Sequence, residues 1–331
     1  MEFKNSKVSH LWESVKECFD VGSKFKDNSL KLRFFRSTRT IFDLSSVTSS
    51  SKDAKPSIPP SKDDIFRYYN FSDDRVLGNG SYGNVRVATD KITGQKFAIK
   101  RILKAKTYEH FVQDEVRVMS YTDHENLIDF HRFYSDQRYW YILMELVKGL
   151  DLHQYLSYIG TPSKAKTACI MQQLSGAIQY LHHKGIVHGD IKPENILYSE
   201  TKDGKVVIKL ADFGSSYFTA EKNNKKCFTP IYSPPEVASG KSNSKKTSDV
   251  WAIGLVGFIL FVGAHPFDTH GEFTDEELVK RIISGKPNLT KIWELPYPNV
   301  LKLLRSCLNI NPKKRPRIDR IARFNWTDCC K

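Results

Sequence analysis

The chain lacks the patterns that would make it a disulfide scaffold, a zinc module or a membrane span. Its six cysteines, Cys18, Cys169, Cys227, Cys307, Cys329 and Cys330, are scattered, with no Cys-x-x-Cys pair and no zinc-ligand spacing. They read as reduced thiols of a cytoplasmic protein, with the nucleus as the alternative site. No positive cluster followed by an apolar core opens the sequence, so no secretory signal is expected. The terminal Cys329-Cys330-Lys331 is not a prenylation box. The run from Val250 to Ala264 is nearly all apolar, but it covers about 15 residues against the ~20 that a bilayer demands. Asp249 precedes it and His265-Pro266 ends it, so it reads as a helix of the protein core. Internal repeats are missing, and 18 Gly and 14 Pro are too few for a collagen-like or low-complexity chain. Acidic residues are the minority charge, 37 against 51 Lys and Arg over 331 residues, a formal net charge of +14. Such an excess invites a nucleic-acid or membrane reading, which the motifs have to test.

What is present divides the chain in two. Residues 1–67 read as a largely flexible N-terminal extension. A short amphipathic helix is expected around Leu11 to Phe19, then a basic stretch from Lys31 to Arg39. From Ser45 to Asp64 the composition is Ser-, Pro- and Lys-rich and buries too little apolar area to offset its ordering entropy, which predicts a linker. From Tyr68 the text becomes globular. Val85, Val87, Phe97 and Ile99 alternate in two short runs separated by a turn at Asp90 to Gly94, which predicts an antiparallel pair. A polar helix follows over about Tyr108 to Thr122, then a strand from Trp140 to Val147. After Gly149 the spacing turns helical, with Ile170, Leu174, Ala177, Ile178 and Leu181 on one apolar face. A mostly β part thus precedes a mostly α part.

Three groups of residues carry chemistry. The stretch Gly78-Asn79-Gly80-Ser81-Tyr82-Gly83 is followed by a strand pattern and not by a helix, so it suits a glycine-rich flap over phosphates and not a dinucleotide fold. Lys100 lies 17 residues after Gly83 on the following strand and reads as a ligand of the α- and β-phosphates. Its expected internal partner is Glu115, preferred over Glu109 and Asp114 because it shares a helix face with Phe111 and Met119. In the third group, Asp190 and Asn195 stand five apart in His188-Gly189-Asp190-Ile191-Lys192-Pro193-Glu194-Asn195. Asp212-Phe213-Gly214 follows a hairpin whose turn is Asp203-Gly204. A carboxylate to accept a hydroxyl proton, an amide oxygen and a second carboxylate to hold a metal are what phosphoryl transfer asks for. Asp190, Asn195 and Asp212 fit these roles in that order, with Lys192 beside the transferred group.

With these motifs the chain resembles the eukaryotic protein kinase family over about Tyr68 to Trp326. Ser233-Pro234-Pro235-Glu236 stands where the family has Ala-Pro-Glu. Asp249-Val250-Trp251-Ala252-Ile253-Gly254 and Arg315 match further family elements. The resemblance implies an α+β, two-lobed fold: a small antiparallel sheet lobe with one key helix (68–144), a hinge (145–150) and a larger, mainly α lobe (151–326), with a short tail at 327–331. It implies a buried Glu236–Arg315 ion pair. It also implies ATP between the lobes, with magnesium, or manganese in its place, at Asn195 and Asp212. Leu77, Gly78, Asn79, Gly80, Ser81, Tyr82, Gly83, Val85, Ala98, Lys100, Glu115, Glu145, Val147, Asp151 and Leu197 would contact or support the nucleotide, and Asp190 and Lys192 would be catalytic. Met144 would gate the adenine pocket, and Met119, Phe130, His188 and Phe213 would stack as an internal spine.

Finer details of the resemblance bear on substrate and control. Lys192 together with Thr229-Pro230 is similar to serine/threonine kinases, and the surrounding pattern is nearest the calcium/calmodulin-dependent group. There Glu194 and Asp151 would receive a basic residue of the protein substrate. No calmodulin-binding helix or EF-hand loop is written between the domain and Lys331, so calcium control is expected from elsewhere. Gly189 departs from the Arg that many members use to pair with an activation-loop phosphate, which predicts activity without that switch. The competing reading is a pseudokinase scaffold, against which stand Lys100, Glu115, Asp190, Asn195 and Asp212. A nucleic-acid module would explain the charge and none of the spacings, so no nucleic-acid partner is expected. The chain reads as a monomer whose basic N-terminal stretch would dock an acidic partner or an anionic membrane surface.

Overall fold

The computed structural model describes residues 41–42, 58–71, 76–79, 83–221, 227–288 and 297–327. The expected helix at Leu11–Phe19, the basic stretch 31–39 and most of the linker lie outside them. The smaller lobe is a six-stranded antiparallel sheet made of β2 (Tyr69–Asn70), β3 (Val76–Asn79), β4 (Gly83–Asp90), β5 (Lys96–Leu103), β6 (Phe130–Ser135) and β7 (Tyr139–Glu145). Its order is β2-β4-β5-β7-β6, with β3 pairing β4. Alternation along β4 and β5 gives the sheet two buried faces. Ala98, Ile102, Val112, Val116 and Ile142 belong to one core, while Ala88, Phe97, Ile99, Tyr141 and Leu143 pack on the other side. Helix α2 (Glu109–Tyr121) crosses the first face and buries Phe111, Val112, Glu115, Val116, Val118 and Met119.

Part of the composition-defined linker is ordered against this lobe. Ser61 bridges Tyr134 on the sheet edge in parallel, its amide donating to the Phe133 carbonyl at 2.8 Å. Ile58 packs on the core, and α1 (Ile65–Tyr68), capped by the Asp64 side chain, buries Ile65. Two isolated apolar residues in a polar stretch are enough to seat it, because β6 presents an otherwise open edge.

The larger lobe is built on α4 (Lys164–His183) and α6 (Lys246–Val262). In α6 every residue from Ser248 to Leu260 is buried. Among the described residues no helix is long and apolar enough to cross a membrane. Between the lobes lie β8 (Leu150–Asp151), α3 (Leu152–Tyr158), β9 (Ile186–Val187), the hairpin β10 (Ile196–Glu200)–β11 (Val206–Leu210), and β12 (Tyr217–Phe218), which pairs with β9. A two-residue strand of the N-terminal extension, β1 (Ile41–Phe42), pairs antiparallel with β13 (Cys227–Phe228). The short helices α5 (Pro235–Ala238), α7 (Asp275–Ser284), α8 (Pro298–Cys307) and α9 (Ile318–Ala322) complete the lobe. The Arg315 guanidinium there meets Glu236 through two bonds of 2.6 and 2.8 Å and lies 5.0 Å above the Trp251 ring.

Candidate active site

The cleft between the lobes collects the predicted residues from separate elements of both lobes. On β5, Lys100 Nζ lies 2.6 Å from Glu115 Oε1 of α2 and 2.9 Å from Asp212 Oδ1. Burial opposes charge on Lys100, but the Asp212 and Glu115 carboxylates override it and hold the ammonium well above its ordinary pKa. Asp212 mirrors this: burial opposes its ionisation, and Lys100, then Lys192, hold the carboxyl well below the usual carboxylate range. Its side chain is 46% exposed. Its φ of 63° is the only positive value at a non-glycine position among the described residues. Asp tolerates the left-handed region better than most side chains, and strain of this kind gathers at functional sites.

The glycine-rich turn is described only in part. Val76–Asn79 and Gly83–Asp90 form its two strands, with a register shift between Val76 and Gly78; Gly80, Ser81 and Tyr82 lie outside the described residues. Leu77 is exposed, and Val85 and Leu197 are half-buried. Gly83 has a local reason to be glycine, since a Cβ there would lie 1.7 Å from the Arg101 carbonyl oxygen. Ala98 pairs with Met144 across β5 and β7 and both are buried. Glu145 differs from a simple adenine contact. Its amide donates to the Asp129 carbonyl at 3.0 Å and its carboxylate pairs with Lys209 at 2.5 Å, so only its own carbonyl is left to face a base. Val147 packs half-buried against the core.

Around Asp190 the bonds form a closed set. The Thr229 hydroxyl donates to Asp190 Oδ1 at 2.6 Å, and the Thr229 amide donates to the same oxygen at 3.1 Å. Lys192 Nζ donates to the Thr229 oxygen at 2.7 Å and pairs with Asp190 Oδ2 at 2.8 Å. Burial opposes the charge on Lys192, and the Asp190 carboxylate overrides it and pushes its pKa up. Asn195 Nδ2 donates to the Asp190 carbonyl at 2.8 Å, which assigns the amide oxygen as the atom left for a cation. Asn195 and Asp212 therefore offer hard oxygen ligands, the chemistry of magnesium or manganese bound with phosphate and water oxygens. Among the described residues no group of three or more His, Cys, Asp or Glu forms a complete cation cage.

Two contributions to the site were not read from the sequence as such. Asp249, recognised only as the start of a buried helix, accepts the His188 amide at 3.0 Å and the Gly189 amide at 2.9 Å, and His182 Nε2 lies 2.7 Å from it. It therefore anchors the loop that carries Asp190 to α6. Asp151 caps α3, accepting the Gln154 amide at 2.7 Å. Burial pushes its carboxyl up to about 6, against the Gln154 amide, with neighbouring Glu194 adding to the rise. An Asp directly before an apolar helix was the available signal for that cap. The expected spine has His188 and Phe213 in edge contact at 5.2 Å, with Met119 buried and Phe130 half-buried.

The family model of the protein kinase domain matches residues 71–327. The chain belongs to the protein kinase family. It is 32% identical over 329 residues to calcium-dependent protein kinase 5 of Plasmodium falciparum, covering 96% of this chain and 57% of that protein. It is also 32% identical to sperm motility kinase 3A of Mus musculus, over 76% of this chain and 48% of the relative. The mouse serine/threonine-protein kinase DCLK2 is 32% identical over 76% of this chain and 34% of its own length. These relatives agree with the resemblance to the calcium/calmodulin-dependent group. The chain spans about half the length of the first of these relatives.

Proposed function

We propose that the chain is an active serine/threonine protein kinase that moves the γ-phosphate of ATP to protein hydroxyls, with magnesium or manganese bound at Asn195 and Asp212. The observation that carries this reading is the closed set Asp190–Lys192–Thr229. Thr229 and Lys192 fix the plane of the Asp190 carboxylate, so a substrate hydroxyl that donates to it is held as a nucleophile. In the reaction the hydroxyl oxygen bonds to the γ-phosphorus, the bond from that phosphorus to the β–γ bridging oxygen breaks, ADP leaves, and the hydroxyl proton passes to Asp190. The divalent cation, when bound, neutralises charge on the phosphates. Lys100, oriented by Glu115, binds the α- and β-phosphates, and Lys192 stabilises charge on the transferred group.

Substrate preference is proposed to be basophilic. Asp151 and Glu194 are adjacent carboxylates near the acceptor side, and a cationic side chain upstream of the target hydroxyl would relieve their mutual repulsion. Serine and threonine acceptors are favoured by the Lys192–Thr229 bond, which uses the space beside Asp190. The test is a positional peptide array with labelled ATP, using the full chain and its Asp190→Asn variant. Label on Ser and Thr peptides with upstream Arg or Lys, lost in the variant, is expected. Label confined to Tyr peptides, or none at all, would overturn the reading.

A further inference from the structure

The activation segment between Asp212 and Thr229 is poorly supplied with hydroxyls for the usual switch. Residues 220–228 read Ala-Glu-Lys-Asn-Asn-Lys-Lys-Cys-Phe and hold no Ser, Thr or Tyr. Upstream, Ser215, Ser216 and Tyr217 are buried; Ser216 donates to the His188 carbonyl at 2.8 Å and Tyr217 bonds the Ser244 carbonyl. Thr219 is the one exposed hydroxyl among residues 213–221. The receiving side is equally bare, since Gly189 has no side chain to bind a phosphate.

In this place the segment presents a fixed carboxylate to helix α2. Arg117 forms a two-pronged pair with Glu221, Nη1 to Oε1 at 2.5 Å and Nη2 to Oε2 at 2.7 Å. Its guanidinium carbon lies 4.7 Å above the Phe218 ring, and Tyr121, one turn on, meets the same ring edge-on at 5.5 Å. Asp114 adds a third bond to Arg117 at 3.3 Å. Arg117 and Glu115 are two residues apart on one helix, so they point to nearly opposite sides. Glu115 faces Lys100 and Arg117 faces the activation segment, and the helix is gripped on both flanks.

We infer that the Arg117–Glu221 pair is a built-in latch that holds α2, and with it Glu115 and Lys100, in the productive position without phosphorylation. Both residues are positioning residues acting through Glu115. The pair supplies a permanent version of a phosphate–Arg bond: a planar two-pronged contact between a guanidinium and an oxyanion. Phe218 strengthens it by covering one guanidinium face. The segment is fixed at its other side as well, since β12 pairs with β9 and the Thr219 amide donates to the Gly185 carbonyl at 2.7 Å. Loosening Glu221 therefore frees α2 and not the catalytic loop. This inference rests on the phosphotransfer reading above, and its test is built to be read separately.

The experiment compares the full chain with Glu221→Gln, Arg117→Gln and the charge-exchanged Arg117→Glu/Glu221→Arg. Each is treated with phosphatase before assay. The expected result is unchanged activity of the treated parent. Each single variant should lose kcat by about tenfold, the order of one charge-assisted bidentate contact. The peptide KM should stay within about twofold and the melting temperature within a few degrees, and the exchanged pair should recover a large part of kcat. Hydrogen exchange is measured on the same proteins, and amides of Glu109–Tyr121 should lose protection in the single variants and regain it in the exchanged pair. If the parent shows no phosphotransfer, the proposed function fails while the exchange data still decide the latch. Unchanged kcat and unchanged α2 protection in both single variants, or phosphatase-sensitive activity in the parent, would overturn it.

Discussion

Gly189 and Ser215 approach so closely that a Cβ on Gly189 would lie 2.9 Å from the Ser215 carbonyl oxygen. The φ of Gly189 is 84°, in the region where side chains are strained whatever space they find. The Gly189 amide is meanwhile held by Asp249, which keeps the backbone from relaxing.

The first prediction concerns restoring the missing arginine. Gly189→Arg should not create a phosphate-dependent enzyme, because residues 220–228 supply no hydroxyl for it to read. It should cost about 1–2 kcal/mol of stability from the left-handed backbone alone. Urea unfolding of the variant beside the parent measures this, and an unchanged midpoint would show that the loop relaxes around the new side chain.

Asp212→Asn separates charge from conformation. Asn accepts the left-handed φ of this position about as readily as Asp, and Lys100 keeps Glu115 as its partner. Phosphate transfer should fall by at least about a hundredfold, the scale for losing a key electrostatic group. The unfolding midpoint should barely move. Full activity in the presence of magnesium would refute the metal role.

A third prediction concerns the pair far from the chemistry. The Arg315 side chain is fully buried and bonded to Glu236, the Asn309 carbonyl and the Thr247 carbonyl. Arg315→Met should cost about 3–5 kcal/mol by leaving Glu236 without its counter-charge. Adding Glu236→Gln should return part of this, since a neutral amide tolerates burial better. Denaturation of the two singles and the double variant gives the coupling energy directly, and purely additive losses would contradict the argument.

What could be read from the sequence was local spacing. The turn before β4, the strand lysine, the five-residue interval from Asp190 to Asn195 and the Asp-Phe-Gly triplet all sit within short windows, and the buried character of α6 follows from its unbroken apolar run. Relations across long separations were not legible. Arg117 and Glu221 lie 104 residues apart, and nothing in either neighbourhood marks them as partners. Asp249 was visible as a match to a motif, but its grip on the His188 and Gly189 amides is a property of how α6 passes beneath the catalytic loop. The seat of Ile58 and Ser61 was missed because composition averages over a window, while one packed side chain at Ile58 and one backbone bridge from Ser61 to the open sheet edge hold the segment.

Asp151 supplies the last prediction, on pH. Its folded pKa of about 6 lies above the ordinary carboxylate value of about 4. The folded protein therefore binds this proton more tightly than the unfolded chain does. The stabilising contribution of the protonated group is fully present below about pH 4 and is lost as pH rises through about 6. Recognition of a basic substrate runs in the opposite sense, because only the ionised carboxylate attracts a cation. Peptide KM for a substrate with an upstream Arg should thus improve as pH rises through about 6, on the order of several-fold per unit on the acid side. The same peptide with Ala in place of that Arg should show no such trend, and in the Asp151→Asn variant the two profiles should run parallel. If the Arg peptide and the Ala peptide share one pH profile in the parent chain, Asp151 does not read the basic residue and Glu194 is left as the group to test.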